Sequence, residues 1–173
     1  MARLRAASAY RRLKRSYTRK SKVRAKSYIK STPQNKIVRY VMGNKRNSFP
    51  CRVDLISLED MNLRHNAIEA GRRVASNYLE KTLNRENFKL EIRTHPHHIL
   101  RENPLATGAG ADRFQEGMTR AFGKPIGLAA RVKKGKILVS VYVNEKGTEE
   151  AKRALKKVSH KYPMRTTIRV SKP

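Results

Sequence analysis

The sequence predicts an α+β fold: a largely antiparallel β-sheet sandwich with two main helices packed on one side. It also predicts a basic N-terminal extension and a long internal loop. Three observations lead there. Most apolar segments alternate with a period of two, which suits half-buried strands. Only two stretches recur every three or four residues, as helices do. Short connections join the strands, as in hairpins, and few helices separate them, which favours antiparallel sheet over parallel βαβ units.

Residues 1–34 read as the extension and 35–173 as a single domain. Residues 1–30 hold twelve Lys or Arg and no acid, with Tyr10, Tyr17 and Tyr28 interleaved. Alone, such a segment buries too little apolar surface to offset its ordering entropy, so disorder in isolation is expected. From Lys36 the pattern changes. KIVRYVM (36–42) and CRVDLIS (51–57) read as strands, with a turn around Gly43-Asn44 between them.

Residues 58–83 take helical spacing, with Leu63, Ala67, Gly71 or Ala70, Val74 and Tyr78 as the apolar stripe. Ser57 and Asp60 are placed to cap its start, and His65 falls on its solvated flank. FKLEIRT (88–94) is a strand with Phe88, Leu90, Ile92 and Thr94 on one face. HHILR (97–101) is a second extended piece leading into the loop. IGLAARV (126–132) and KILVSVYV (136–143) flank Lys133-Lys134-Gly135, which reads as a hairpin turn. A second helix follows Gly147. Thr148 can cap it, Glu149 and Glu150 meet its positive end, and Ala151, Leu155 and Val158 form its buried stripe. Pro163 ends it, and RTTIRV (165–170) closes the chain as a strand.

Charge restricts the partner. Forty-one Lys and Arg against thirteen Asp and Glu give a formal +28 in 173 residues. Self-repulsion at that level opposes a compact state unless a polyanion neutralises it. Nucleic acid fits best, because each neutralised phosphate releases counterions. A membrane partner is not expected: no apolar run spans a bilayer, and no helix pairs a broad apolar face with a basic one. The single cysteine, Cys51, precludes an internal disulfide framework, fits a reducing compartment and reads as a small core residue.

Catalytic and metal motifs fail on inspection. Gly108-Ala109-Gly110-Ala111-Asp112-Arg113 begins like a dinucleotide fingerprint, but Arg113 stands where the third glycine belongs. Gly117 to Lys124 resembles a phosphate loop, but it is one residue too long and Pro125 replaces the magnesium-binding hydroxyl. His95, His97 and His98 lack a cysteine pair or nearby carboxylate to complete a metal site. The sequence therefore predicts a non-enzyme with no cofactor and no metal. Glycine and alanine in GAGA (108–111), rimmed by Arg101, Arg113, Arg120 and Lys124, suit a loop that approaches nucleic acid closely.

HPHHILREN (95–103), GAGADRFQEGM (108–118) and AFGKPIGLAARV (121–132) resemble the L-sixteen family of large-subunit ribosomal proteins, in its L-ten-e branch of archaea and eukaryotes. YTRK (17–20), MGN (42–44) and RHNAIEAGRRVASNYL (64–79) look archaeal. The resemblance implies a cytoplasmic ribosomal protein, not a homo-oligomer. Its partners would be large-subunit rRNA, tRNA and neighbouring ribosomal proteins. A free RNA-binding assembly factor or RNA chaperone on the same fold is the alternative.

The rRNA-binding residues expected are Arg3, Arg5, Tyr10, Arg11, Arg12, Lys14, Arg15, Tyr17, Arg19, Lys20, Lys22, Arg24 and Lys26 in the extension. In the domain they are Arg64, Arg72, Arg73, His95, His97, His98, Arg120 and Lys124. The internal loop, about 101–113, would face tRNA near the peptidyl-transferase centre through Arg101, Asn103, Thr107, Gly108, Ala109, Gly110, Ala111, Asp112 and Arg113.

Overall fold

A computed structural model of the chain describes residues 5–12, 23, 25, 31–102 and 123–171. The elements in order are α1 (Ser8–Arg11), β1 (Val41–Gly43), β2 (Cys51–Ser57), β3 (Met61–Arg64), α2 (His65–Leu83), β4 (Phe88–Ile92), β5 (His98–Glu102), β6 (Lys124–Val132), β7 (Ile137–Val143), α3 (Thr148–Ser159) and β8 (Thr166–Ser171). They build two antiparallel sheets, one of five strands ordered β1-β4-β7-β2-β8 and one of three ordered β3-β6-β5. The α+β class is as the sequence predicts.

Strand register explains the core. Phe88, Val143 and Cys51 lie in one row across β4, β7 and β2; Leu90, Val141 and Val53 form the next; Ile92, Val139 and Leu55 the third. Alternation puts all nine on one face, and all are buried. Helices α2 and α3 pack on each other and on this sheet, adding Ile68, Ala75, Leu79, Ala151, Ala154, Leu155 and Val158 to the same cluster. Each large side chain so buried contributes about 1.5–3 kcal/mol. Leu63, Ala130 and Val132 bring the smaller sheet into that core, and α2 also touches β3 and β6. Cys51 is a free, buried core thiol, as expected.

Several local expectations are corrected. KIVRYVM pairs as a strand only from Val41. Upstream, the Lys36 and Val38 N–H groups donate to His65 Nδ1 and Glu69 Oε2, so side chains of α2 replace ladder partners. Residues 58–64 are not helical, because Met61–Arg64 pairs with β6 from Val132 to Ala129. The helix starts at His65 without a side-chain cap. Ser57 instead bonds the Glu59 backbone, and Asp60 accepts the Lys134 N–H at 2.6 Å. The buried stripe is Ile68, Gly71, Ala75 and Leu79, while Ala67 and Tyr78 only border the core. The buried positions thus lie one residue on from the expected ones, about 100° around the helix.

His65, expected on the flank, is 7% exposed. Lys133-Lys134-Gly135 is a turn, with Lys136 N–H donating to Lys133 O, but not a hairpin: it carries the chain from the smaller sheet to the larger. Thr148 begins α3 without capping it. Its neighbours Glu149 and Glu150 do occupy the first turn, and Lys156 and Lys157 the last.

Candidate nucleic-acid interface

Within the N-terminal extension, residues 5–12 dock on the domain, where the sequence led to an expectation of disorder in isolation. Tyr10 is 4% exposed and packs on Leu100 and Ala129 of the smaller sheet. Its hydroxyl donates to Glu102 Oε2 at 3.1 Å, and its carbonyl accepts from Asn62 Nδ2 at 3.1 Å. Arg64 donates to the Arg5 carbonyl at 3.0 Å and lies 5.7 Å from the Tyr10 ring centroid. Arg5 reaches Glu102 Oε1 at 3.6 Å. Tyr10 thus serves as an anchor, its ring facing protein and not solvent.

Docking the arm builds a basic groove beside it. Arg11 and Arg12 face Arg131 and Lys133 across Met61 and Asn62, around a volume of about 690 Å³. Among the described residues, Asp60 is the one acid in that lining. Arg131 and Lys133 were not picked out from the sequence. The alternation of β6, with Ala130 and Val132 inward, was the signal that sends both side chains outward.

At the other predicted contacts, the structure separates residues that look alike in sequence. His95 and His97 are exposed, and the His95 ring stacks on Tyr40 at 4.5 Å between centroids. His98 faces the opposite way and is 2% exposed, so burial first, then Arg131, His97 and Arg101, lower its pKa. Arg101, at the root of the internal loop, is 7% exposed. Lys124 faces Glu102 in the β5–β6 register and is exposed.

Arg72 and Arg73 also differ. Arg72 donates through Nε to Glu69 Oε2 at 2.8 Å and through a terminal nitrogen to Oε1 at 2.6 Å, and its other nitrogen lies 3.1 Å from Met42 sulfur. It is a strut between α2 and β1. Arg73, with a side chain 69% exposed, keeps only a 3.9 Å approach to Glu69.

Arg3, Lys14, Arg15, Tyr17, Arg19, Lys20, Lys22, Arg24, Lys26 and Arg120 lie outside the described residues, as do Asn103, Thr107, Gly108, Ala109, Gly110, Ala111, Asp112 and Arg113. The base of their loop is described: β5 and β6 pair from His98 with Ala129 to Glu102 with Lys124. Among the described residues no group of three His, Cys, Asp or Glu gathers as for a metal ion. No described helix is long and apolar enough to cross a membrane.

The described acids are largely spoken for. Asp54, Glu59, Glu69, Glu91, Glu102, Glu149 and Glu150 each stand within 4.0 Å of an arginine or lysine. The remaining cations present a positive surface.

Comparison with known proteins agrees with this picture. A family model described as "Ribosomal protein L16p/L10e" matches residues 13–169. The chain is 44% identical to a protein named "Large ribosomal subunit protein uL16" from Methanococcus maripaludis, over 98% of this chain and 95% of the relative. A protein of the same name from Archaeoglobus fulgidus is 45% identical over 96% of this chain and 92% of its own length. One from Staphylothermus marinus is 47% identical over 86% and 84%.

Proposed function

Since the chain belongs to the ribosomal protein L16p/L10e family, and so is a structural, non-enzymatic protein of the large ribosomal subunit, we propose that it binds large-subunit rRNA through its cationic surfaces and helps to position tRNA near the peptidyl-transferase centre. The carrying observation is the uneven pairing of charge. Seven acids are held in internal ion pairs, while the chain keeps a formal +28. A polyanion is the partner that relieves such repulsion.

Two surfaces divide the work. The arm-side groove of Arg11, Arg12, Arg131 and Lys133, with the exposed His95 and His97, meets rRNA. The loop whose base is β5 and β6 faces tRNA, and Arg101 with Lys124 holds positive charge at its root. Neighbouring ribosomal proteins complete the surroundings.

Affinity for rRNA should fall steeply with salt, because each single-strand phosphate contact adds about −0.7 to the log–log slope and each duplex contact about −0.9. A slope near zero would remove the electrostatic basis of the reading. Shortening residues 103–112 should leave the domain folded by circular dichroism and impair tRNA binding. Sedimentation with the mature large subunit is expected; presence on precursor particles alone would favour an assembly factor.

A further inference from the structure

On the far side of α2 from α3's packing lies a second basic cleft, of about 700 Å³, between β1 and the helix. Resting on the RNA-binding reading above, we propose that this cleft holds one RNA strand by its phosphates, with Arg39, Lys45, Arg73 and Arg85 as the contacts. None of Arg39, Lys45 and Arg85 stands out in the sequence.

The walls carry the argument. Arg39 and Lys45 flank β1 on one side; Arg73 and Arg85 lie along and just beyond α2 on the other. All four are exposed. Among the described residues Glu80 is the one carboxylate in the lining, and Ser76 Oγ already donates to it at 2.9 Å. From Arg73 to the end of α2 at Leu83 the helix rises about 15 Å, with Arg85 two residues further, enough for more than one phosphate. A cleft with cations on both walls suits a chain of anions better than a single one.

The backbone adds donors. β1 is the outermost strand of its sheet. Tyr40 O accepts from Ile92 N–H, and Asn44 N–H donates to Phe88 O. In an antiparallel ladder the alternate residues then point outward, so Val41, which lines the cleft, presents its N–H and C=O groups on the open edge. A peptide adding itself to this edge would find only three residues of strand, ended by Gly43 at φ +83°. Phosphate oxygens need no such register.

The floor is rigid. The Glu69–Arg72 pair ties α2 to the Val38 N–H and to Met42. Arg72 is thereby occupied as part of the wall, which leaves Arg39, Lys45, Arg73 and Arg85 as its exposed cations, Arg73 keeping a 3.9 Å approach to Glu69.

The test compares two full-length quadruple variants of equal net charge on large-subunit rRNA: R39Q/K45Q/R73Q/R85Q in the cleft and K136Q/K146Q/K156Q/K161Q elsewhere. The cleft variant should lower the magnitude of the salt slope by about 3, from four contacts at ~0.7 each; the control should lower it by less than one. Equal losses, or none in the cleft variant, would overturn the cleft while leaving rRNA binding intact. Failure of the wild-type chain to bind rRNA would instead bring down the broader reading.

Tethered cleavage supplies an independent check. Because Cys51 is 1% exposed, Asn77→Cys places one accessible thiol in the cleft for a hydroxyl-radical reagent. Cuts in a single continuous run of rRNA nucleotides, lost in the cleft quadruple variant, are expected. Cuts in a neighbouring polypeptide in place of RNA would assign the cleft to a protein segment and overturn the proposal.

Discussion

Tyr10 and Glu102, 92 residues apart, meet through a 3.1 Å hydrogen bond that ties the N-terminal arm to the root of the internal loop. The same carboxylate receives Arg5 at 3.6 Å, and Tyr10 packs on Leu100 of the same strand. Docking the arm and holding the loop base are therefore one structural event.

Tyr10→Phe should remove the hydrogen bond alone and cost about 1 kcal/mol. Tyr10→Ala should also open the contact with Leu100 and Ala129, costing ~3 kcal/mol or more. Limited proteolysis within residues 5–12 should speed up in that order. Equal protection in all three proteins would show that the arm does not depend on this anchor.

The Glu69–Arg72 pair is the second lever. Their side chains are 10% and 13% exposed, and Glu69 also takes the Val38 N–H. Glu69→Ala leaves a guanidinium nearly buried and unpaired, at a cost of about 3 kcal/mol. Replacing both residues by Met and Leu should cost less than Glu69→Ala alone. Chemical denaturation measures both, and a double variant weaker than the single one would refute the desolvation argument.

Stability should decline as pH falls. His65 is held neutral by burial first and then by Lys36 and Arg64, and His98 by burial, Arg131, His97 and Arg101. Their folded pKa values lie below 6.5, so the unfolded chain binds protons first. Stability is full above pH 6.5 and drops as pH descends toward the lowered values. Glu69, lowered chiefly by its bond to Arg72, adds a further loss below 4.5 as pH passes through its folded value. Melting temperatures of the wild type and of His65→Gln should converge as pH is lowered from 7 to 5; parallel curves would show that His65 does not titrate on unfolding.

Gly71 in α2 leaves little room for a side chain. An added methyl would sit 2.8–3.1 Å from the Tyr162 ring and hydroxyl, and Tyr162 is itself 6% exposed. Gly71→Ala should therefore destabilise by about 1–3 kcal/mol despite the better helix propensity of alanine. A stabilised variant in thermal denaturation would mean that the ring can move aside.

The strands of the large sheet were legible because alternation reports a face directly. Phe88, Leu90 and Ile92 point inward whatever their neighbours are. The start of α2 was not legible. Residues 58–64 carry a helix-compatible pattern, and the pull toward strand comes from β6, about seventy residues downstream. Which side of α2 is buried was not legible either: packing against α3 and both sheets selects Ile68, Gly71, Ala75 and Leu79 and takes His65 into the interior. The turn at 133–135 was visible too, but which sheet each side joined was not, since a turn fixes geometry only locally.

Composition and motif by themselves determined that this chain is a polycation of a ribosomal family, with an α+β core and a small-residue loop. Charge and periodicity are local sums, and they survive without coordinates. Tertiary structure alone decided which cations are available. Arg72 and Arg73 are adjacent in sequence, yet one is locked by Glu69 and the other faces the cleft. Tyr10 and the exposed His95 looked alike as ring contacts for RNA, yet only one of them is buried. Availability depends on partners brought from distant segments, and those partners exist only once the chain has folded.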